Sequence, residues 1–260
     1  MIFYHLHQQK IRPYLICLNC NFLCCIALLT LSFPINGYAE LRGSLTGTTD
    51  YFWRGYSRSD GKPAAQANID YEFKSGIYLG SFGSTVNFGD HGFENRSTLE
   101  FRPYLGYAYK LSEDWRFNIE ATRYIYNGKI FGQDVDYNEF YFYSHFRDLV
   151  TAIAYFSDNS YQQKHIAYGF EVTGRYPITQ SIEFSSTLGY NNQKQVLQYN
   201  YLYWTSGLTV HLARNIGVDV RYYDGVHTAT ANKHDEQYQS WGFHPHVVDN
   251  RVLFSITVGF

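Results

Sequence analysis

The stretch His165-Ile166-Ala167-Tyr168-Gly169-Phe170-Glu171-Val172-Thr173-Gly174-Arg175 decides the fold of this chain. Ile166, Tyr168, Phe170 and Val172 share one parity, while His165, Gly169, Glu171, Thr173 and Arg175 share the other. Successive side chains of an extended strand point to opposite faces, so this alternation describes a strand lying between an apolar and a polar medium. The pattern recurs downstream. Ile182, Phe184, Leu188 and Tyr190 oppose Glu183, Ser185 and Thr187. Leu202, Trp204, Leu208, Val210 and Leu212 oppose Tyr203, Thr205, Thr209 and His211, and Ile216, Val218, Val220 and Tyr222 oppose Asp219, Arg221 and Tyr223. Each run is about ten residues, the length a tilted strand needs to cross a bilayer.

Working outward from these runs predicts about twelve strands, starting near Leu41, Pro63, Ile77, Thr98, Trp115, Tyr137, Val150, His165, Ser181, Tyr201, Ile216 and Val248. Two have mixed parity. In the third, Tyr78, Phe82 and Val86 compete with Ile77 and Leu79; in the seventh, Val150-Thr151-Ala152-Ile153 is apolar on both faces. The connections alternate in length. Short ones lie around residues 74–76, 111–114, 147–149, 177–180 and 213–215; long ones run over 54–62, 89–97, 127–136, 157–164, 191–200 and 225–247. Outer-membrane barrels have short periplasmic turns and longer outer loops, so a chain entering from the periplasm would place every long connection outside. The fold class expected is an all-β transmembrane up-and-down barrel.

The two ends fit export. Lys10 and Arg12 precede a mostly apolar run from Leu15 to Phe33, Pro34 breaks it, and Gly37-Tyr38-Ala39 supplies small residues for signal peptidase. Residues 1–39 therefore read as a signal peptide and 40–260 as the barrel, with an N-terminal membrane anchor as the alternative. Cys17, Cys20, Cys24 and Cys25 all fall in the removed segment, so the mature chain would hold neither thiol nor disulfide. Losing Lys10 and Arg12 leaves 19 basic against 23 acidic residues, a net charge of −4. At the other end, Val252, Phe254, Ile256, Val258 and Phe260 form an alternating apolar row. Its terminal Phe260 resembles the signal read by the barrel-assembly machinery; an ordinary last strand is the alternative.

Composition agrees. No linker or low-complexity segment divides the 260 residues, so one domain is expected. Aromatics make up 19%, including 26 Tyr and 20 Phe, which suits girdles at both membrane interfaces. The mean hydropathy of −0.34 excludes a helical membrane protein but not a barrel, whose two faces average out. The near-neutral charge of −2 gives no sign of a nucleic-acid partner.

Residues 49–63 read Thr-Asp-Tyr-Phe-Trp-Arg-Gly-Tyr-Ser-Arg-Ser-Asp-Gly-Lys-Pro. This stretch resembles the opening of the TorF family of porin-like proteobacterial outer-membrane proteins. The matching positions are Asp50, Tyr51, Arg54, Gly55, Ser57, Ser59, Asp60, Gly61 and Pro63, and Ser75 to Gly80 with Gly83-Ser84 is similar to that family's second hairpin. The detailed match spans about residues 45 to 90. It implies the barrel fold and, through the family's name, a pore. Read from the residues alone, Arg54-Gly55 ends the first strand with a turn, Asp60-Gly61 makes a second turn, and Lys62-Pro63 opens the next strand; binding at the outer mouth is the alternative for Arg54.

Parity places Glu100, Glu120, Glu139, Glu171, Glu183 and Asp219 in the lumen, with Arg102, Arg116, Arg147, Arg175, Arg221, Arg251, His145, His165 and His211. A lipid-facing Arg or Lys costs about 2–4 kcal/mol at mid-membrane, which drives such groups inward. They form either an eyelet that sorts solutes or ion pairs that brace a narrow barrel. Eight strands are filled by side chains and 16 or more leave a channel, so a dozen leaves both open. Arg123 breaks the parity and reads as an interfacial residue that reaches water. In the last long connection His227, His234, His244 and His246, with Asp235, Glu236 and Asp249, read as a solvated loop rather than a metal site; folding into the barrel mouth is a further option. Ser144 and His145 point to opposite faces, and no nucleophile elbow, phosphate loop or H-E-x-x-H appears. The expectation is a non-enzymatic channel without metal or cofactor, whose partners are outer-membrane lipid, the secretion and barrel-assembly machinery, and small solutes. A non-conducting barrel acting through its loops is the alternative.

Overall fold

The computed structural model describes residues 40–230, 243, 245, 247 and 250–260. Twelve antiparallel strands close on themselves: β1 (Glu40–Thr48), β4 (Ala64–Glu72), β5 (Ile77–Thr85), β6 (Leu99–Lys110), β7 (Trp115–Tyr126), β8 (Tyr137–Phe146), β9 (Val150–Ser157), β10 (Ala167–Pro177), β11 (Ile182–Asn192), β12 (Tyr199–Ala213), β13 (Ile216–Thr230) and β14 (Arg251–Gly259). Neighbours in sequence are neighbours in the sheet, and β1 closes the ring against β14. Two further strands, β2 (Phe52–Trp53) and β3 (Tyr56–Ser57), form a separate small hairpin. Closure gives every barrel strand a paired neighbour on both sides, the condition for a sheet in a medium that offers no hydrogen bonds.

The seam pairs Ser44–Thr48 with Ser255–Gly259, and Phe260 extends it. Gly43 and Phe260 exchange two backbone hydrogen bonds of 2.9 Å, and the Phe260 ring lies directly over Gly43. A Cβ at Gly43 would stand 2.3 Å from that ring, so the absent side chain makes room for the aromatic.

Side chains sort by parity around the whole ring. Leu45, Leu79, Ile119, Phe170, Leu188 and Phe254 are among the large apolar residues exposed on the outer surface. A continuous apolar exterior on a closed strand barrel is the surface that lipid covers. Among the described residues no helix is long and apolar enough to cross a membrane. The two strands of mixed parity resolve cleanly. In β5, Ile77 and Leu79 face out while Tyr78 and Ser84 are buried inside, with Val86 just beyond the strand also buried. In β9, Val150 and Phe156 are exposed, while Thr151 and Tyr155 are buried and Ile153 packs on Tyr141, Tyr143 and Tyr155.

Strand starts fall within three residues of those expected; the largest displacement is β14, which begins at Arg251 rather than near Val248. One end of the barrel carries the short turns, the other the long connections. The first long connection does not stay at the rim. Residues 49–63 turn into the barrel, and the β2–β3 hairpin lies within it.

Candidate functional site

The inserted segment is built by the nine residues of the motif at 50–63. Asp50 accepts hydrogen bonds from Ser57 Oγ at 2.5 Å and Ser59 Oγ at 2.7 Å, and Ser59 Oγ accepts from the Tyr51 amide at 2.8 Å. These bonds fold the loop back on itself. Arg54 (φ 46°) and Gly55 (φ 93°) form the hairpin tip. A Cβ at Gly55 would meet the Tyr201 ring at 2.7 Å, so only glycine suits both this backbone and this space. Asp60 and Gly61, also at positive φ, turn the chain back toward Pro63 and β4. Arg54-Gly55 is thus a turn, as the residues suggest, but it lies inside the lumen rather than at the end of the first strand, which stops at Thr48.

The tip carries two guanidiniums into the wall. Arg54 donates to Glu139 at 2.9 Å and to the Tyr141 hydroxyl at 2.8 Å, and its guanidinium carbon stands 3.3 Å from the centre of the Tyr155 ring. Tyr155 can lie flat there because its neighbour across the sheet is Gly169; a Cβ at that position would collide with the phenol. Glu171 lies 4.0 Å from Arg54 Nε and accepts a hydrogen bond from Tyr203. Arg58, 0% exposed, pairs with Glu100 and donates to the hydroxyls of Tyr161 at 2.9 Å and Tyr137 at 3.3 Å. Tyr51 donates to the other oxygen of Glu100 at 2.9 Å. Burial opposes the charge on Arg54 and Arg58, yet Glu139 beside the first and Glu100 beside the second hold both well above the usual arginine pKa. Trp53 sits among three guanidinium groups, with Arg102, Arg54 and Arg58 at 4.3, 4.6 and 4.9 Å from its ring.

Other long connections fold over this plug. Tyr161 of the short 3-10 turn Ser160–Gln162 is buried, as are Val196 and Leu197 of α1 (Lys194–Leu197) and Phe243. Phe243 packs against Tyr56, Phe88, Phe131 and Tyr161. The tyrosines are therefore not mainly girdle residues. Thirteen described tyrosines are buried, many of them lining the lumen, whereas Phe73, Tyr109, Trp115, Tyr176 and Phe260 remain exposed near the turn end.

The turn half of the lumen differs. Arg42 bridges Asp70 at 2.9 Å and Glu72 at 3.0 Å, and Arg116 reaches Glu72 from β7 at 3.0 Å. Arg221 pairs with Asp219 at 2.8 Å and donates to Ser185 Oγ. Arg175 donates to Thr151 at 3.0 Å, and the same hydroxyl lies 3.2 Å from His145 Nδ1. Of the other expected luminal charges, Glu100, Arg102 and Glu139 are buried against the plug and Glu120 is buried below it, bonded to Tyr78 and Thr122. Glu183 is half-buried on the luminal parity of β11. His211 is half-buried near the turn end of β12, and His165 precedes β10.

One expected luminal charge lies elsewhere. Arg147 sits in the β8–β9 turn at φ 48°, its side chain 58% exposed and bonded to Asp114 of the neighbouring turn. The strand ends at Phe146, so alternation no longer sets the direction of Arg147. Arg251 keeps the luminal parity of β14, on the side of buried Leu253, and stands at the loop rim with its side chain 51% exposed and 3.6 Å from Asp50 of the plug. Arg123 is on the outer surface near the loop rim, bonded to Asn138, where it reaches water. His227 stacks on Tyr199 with centroids 4.2 Å apart. His234, His244, His246, Asp235, Glu236 and Asp249 lie outside the described residues. Among the described residues no group of three or more His, Cys, Asp or Glu could hold a metal ion.

The profile of a bacterial protein family of unknown function, Gcw_chp, matches residues 36–260, which spans the entire barrel. This chain belongs to the Gcw_chp family. No curated protein matches the sequence. Among solved structures, the Gcw_chp barrel is similar to the KdgM porin, with a TM-score of 0.52 and 10% identity over 84% of this chain and 99% of that one. A KdgM porin in complex with disordered oligogalacturonate gives 0.51 at 9% identity, covering 85% and 99%. The NanC porin gives 0.50 at 10% identity, covering 84% and 98%. At these identities the likeness is one of fold.

Proposed function

We propose that this Gcw_chp barrel is an outer-membrane channel for ions or small solutes. The observation that carries the reading is a closed twelve-strand barrel with an apolar exterior and a lumen lined by charges. In this reading the signal peptide is cleaved after Ala39, the loop end faces outward, and Phe260 is read by the assembly machinery. The TorF resemblance of residues 49–63 belongs here too: its matching residues build the plug. The luminal Glu, Asp, Arg and His residues then act as the groups that sort solutes, and the protein has no catalytic role.

A second reading has its own observation. The plug's Arg58 is fully enclosed, and side-chain pairs lock the segment to the wall, as in a barrel braced shut. Planar-bilayer recording of the refolded mature protein separates the two. Discrete conductance steps with an ion preference are expected for the channel. A stable barrel, shown by heat-modifiable migration, that stays silent over the accessible voltage range would establish the braced form instead.

A further inference from the structure

The chamber around the plug is more acidic than the plug alone suggests. Around the plug the wall contributes Glu100, Glu139 and Glu171 against Arg102, while Glu120 is buried below the plug and Arg251 pairs with Asp50 at the rim. The turn half, by contrast, balances Arg42, Arg116, Arg175 and Arg221 against Asp70, Glu72, Glu183 and Asp219. The plug supplies the missing positive charge. At Arg54 the wall provides a carboxylate at 2.9 Å, a phenol oxygen at 2.8 Å and an aromatic face at 3.3 Å. A carboxylate with flanking aromatic faces is the chemistry that holds guanidinium and ammonium groups out of water.

We propose that this chamber is a binding site for small organic cations carrying a guanidinium or ammonium group, and that Arg54 is its built-in occupant. The inference rests on the channel reading for how such a solute reaches the chamber. A buried carboxylate left without its cation is strongly unfavourable, so Arg54 leaves Glu139 only when another cation replaces it. Anionic and neutral solutes offer no such exchange. The plug is joined to the barrel strands at Thr48 and Ala64, both at the loop end, so withdrawal toward that end keeps the barrel's strand pairing but displaces the connections packed on it, including Tyr161 and Phe243, and breaks the 2.8 Å hydrogen bond from the Asn87 amide to the Arg58 carbonyl.

Argininamide, carrying a guanidinium and no carboxylate, is the probe. Calorimetry of refolded Arg54→Ala in detergent should show saturable 1:1 binding at millimolar or lower concentration. Glucose and gluconate should not bind, and Arg54→Ala combined with Glu139→Gln should weaken argininamide at least tenfold. Absence of binding, equal binding of gluconate, or binding unaffected by Glu139→Gln overturns the proposal. Should Arg54→Ala fail to fold, the wild-type protein carries the test through the fluorescence of Trp53. Argininamide should shift it, gluconate should not, and Trp53→Phe should remove the shift; an unmoved wild-type spectrum then overturns the proposal. Bilayer recording of the same samples keeps the two ideas apart. A silent barrel that binds argininamide supports the site and removes the channel, whereas a conducting barrel that ignores argininamide does the reverse.

Discussion

The loop half and the turn half of this lumen use the same groups, Arg against Glu or Asp, to different ends. In the loop half, Arg58 and Glu100 are enclosed by tyrosines and by a segment of the chain itself. In the turn half, Arg116 and Glu72 are each 23% exposed and meet across an unplugged stretch of barrel. Coulomb attraction is stronger where water is excluded, but so is the cost of removing either partner. The loop half therefore keeps its arrangement unless another cation replaces a plug arginine, and the turn half can rearrange at little cost. A fully enclosed pair specifies where the plug sits; a half-exposed pair sets the field that a passing solute would meet.

The largest effect should come from breaking the enclosed set. Glu100→Gln leaves Arg58 and Arg102 facing a neutral amide in a buried site. The expected loss is about 3–5 kcal/mol, the usual consequence of removing one partner of a buried pair. Urea-induced unfolding in lipid or detergent, followed by tryptophan fluorescence, measures it. A loss under about 1 kcal/mol would mean that water reaches this pair, and the contrast between the halves would fail.

Next in size is a test that confines the comparison to the lumen. Leu208 is exposed on the outer surface, whereas Thr209 beside it is buried and donates to Asp219 at 2.8 Å. Leu208→Arg places a charge in lipid and should cost about 2–4 kcal/mol near the midplane. Thr209→Arg places the charge beside Asp219 and should cost clearly less. The yield of heat-modifiable barrel in the membrane fraction reads both. Equal damage would show that exposure to lipid does not distinguish these faces.

The strands were legible in the sequence because lipid and lumen impose opposite demands on alternate residues. Ile166, Phe170 and Val172 had to face one medium, and Glu171 and Arg175 the other. Arg147 lay beyond that rule because parity ends where the strand ends. The plug was not legible for a different reason. Its Asp, Ser, Gly and Pro residues are those of any rim turn, and nothing in local spacing says whether a turn folds outward or inward. Two signals pointed inward all the same. Phe82 and Val86 put apolar surface on the luminal parity of β5, which requires something inside to cover it. Tyr137, Tyr141 and Tyr143, like Tyr199, Tyr201 and Tyr203, repeat on luminal positions, where a girdle role is impossible. Arg58, outside the matched motif positions, is the plug residue most deeply enclosed, and its importance rests on contacts from β6, β8 and the 3-10 turn that no short stretch of sequence contains.

The smallest effect is expected at Glu72, and it sharpens the comparison most. Glu72 accepts from both Arg42 and Arg116, so counting bonds alone would rank Glu72→Gln with Glu100→Gln. Burial ranks them apart. Partly exposed partners recover hydration when the carboxylate is lost, Arg42 keeps Asp70 at 2.9 Å, and the expected loss is about 0–1 kcal/mol. Salt supplies an independent check. Screening weakens interactions between exposed charges far more than those between enclosed ones. Raising the ionic strength from about 0.1 M to 1 M, which shortens the Debye length from about 10 Å to about 3 Å, should therefore erase most of the difference between Glu72→Gln and wild type. The Glu100→Gln deficit should persist across the same range. A Glu72→Gln loss that matches Glu100→Gln and resists salt would place both halves in one dielectric regime, and the lumen would then be a single braced core from end to end.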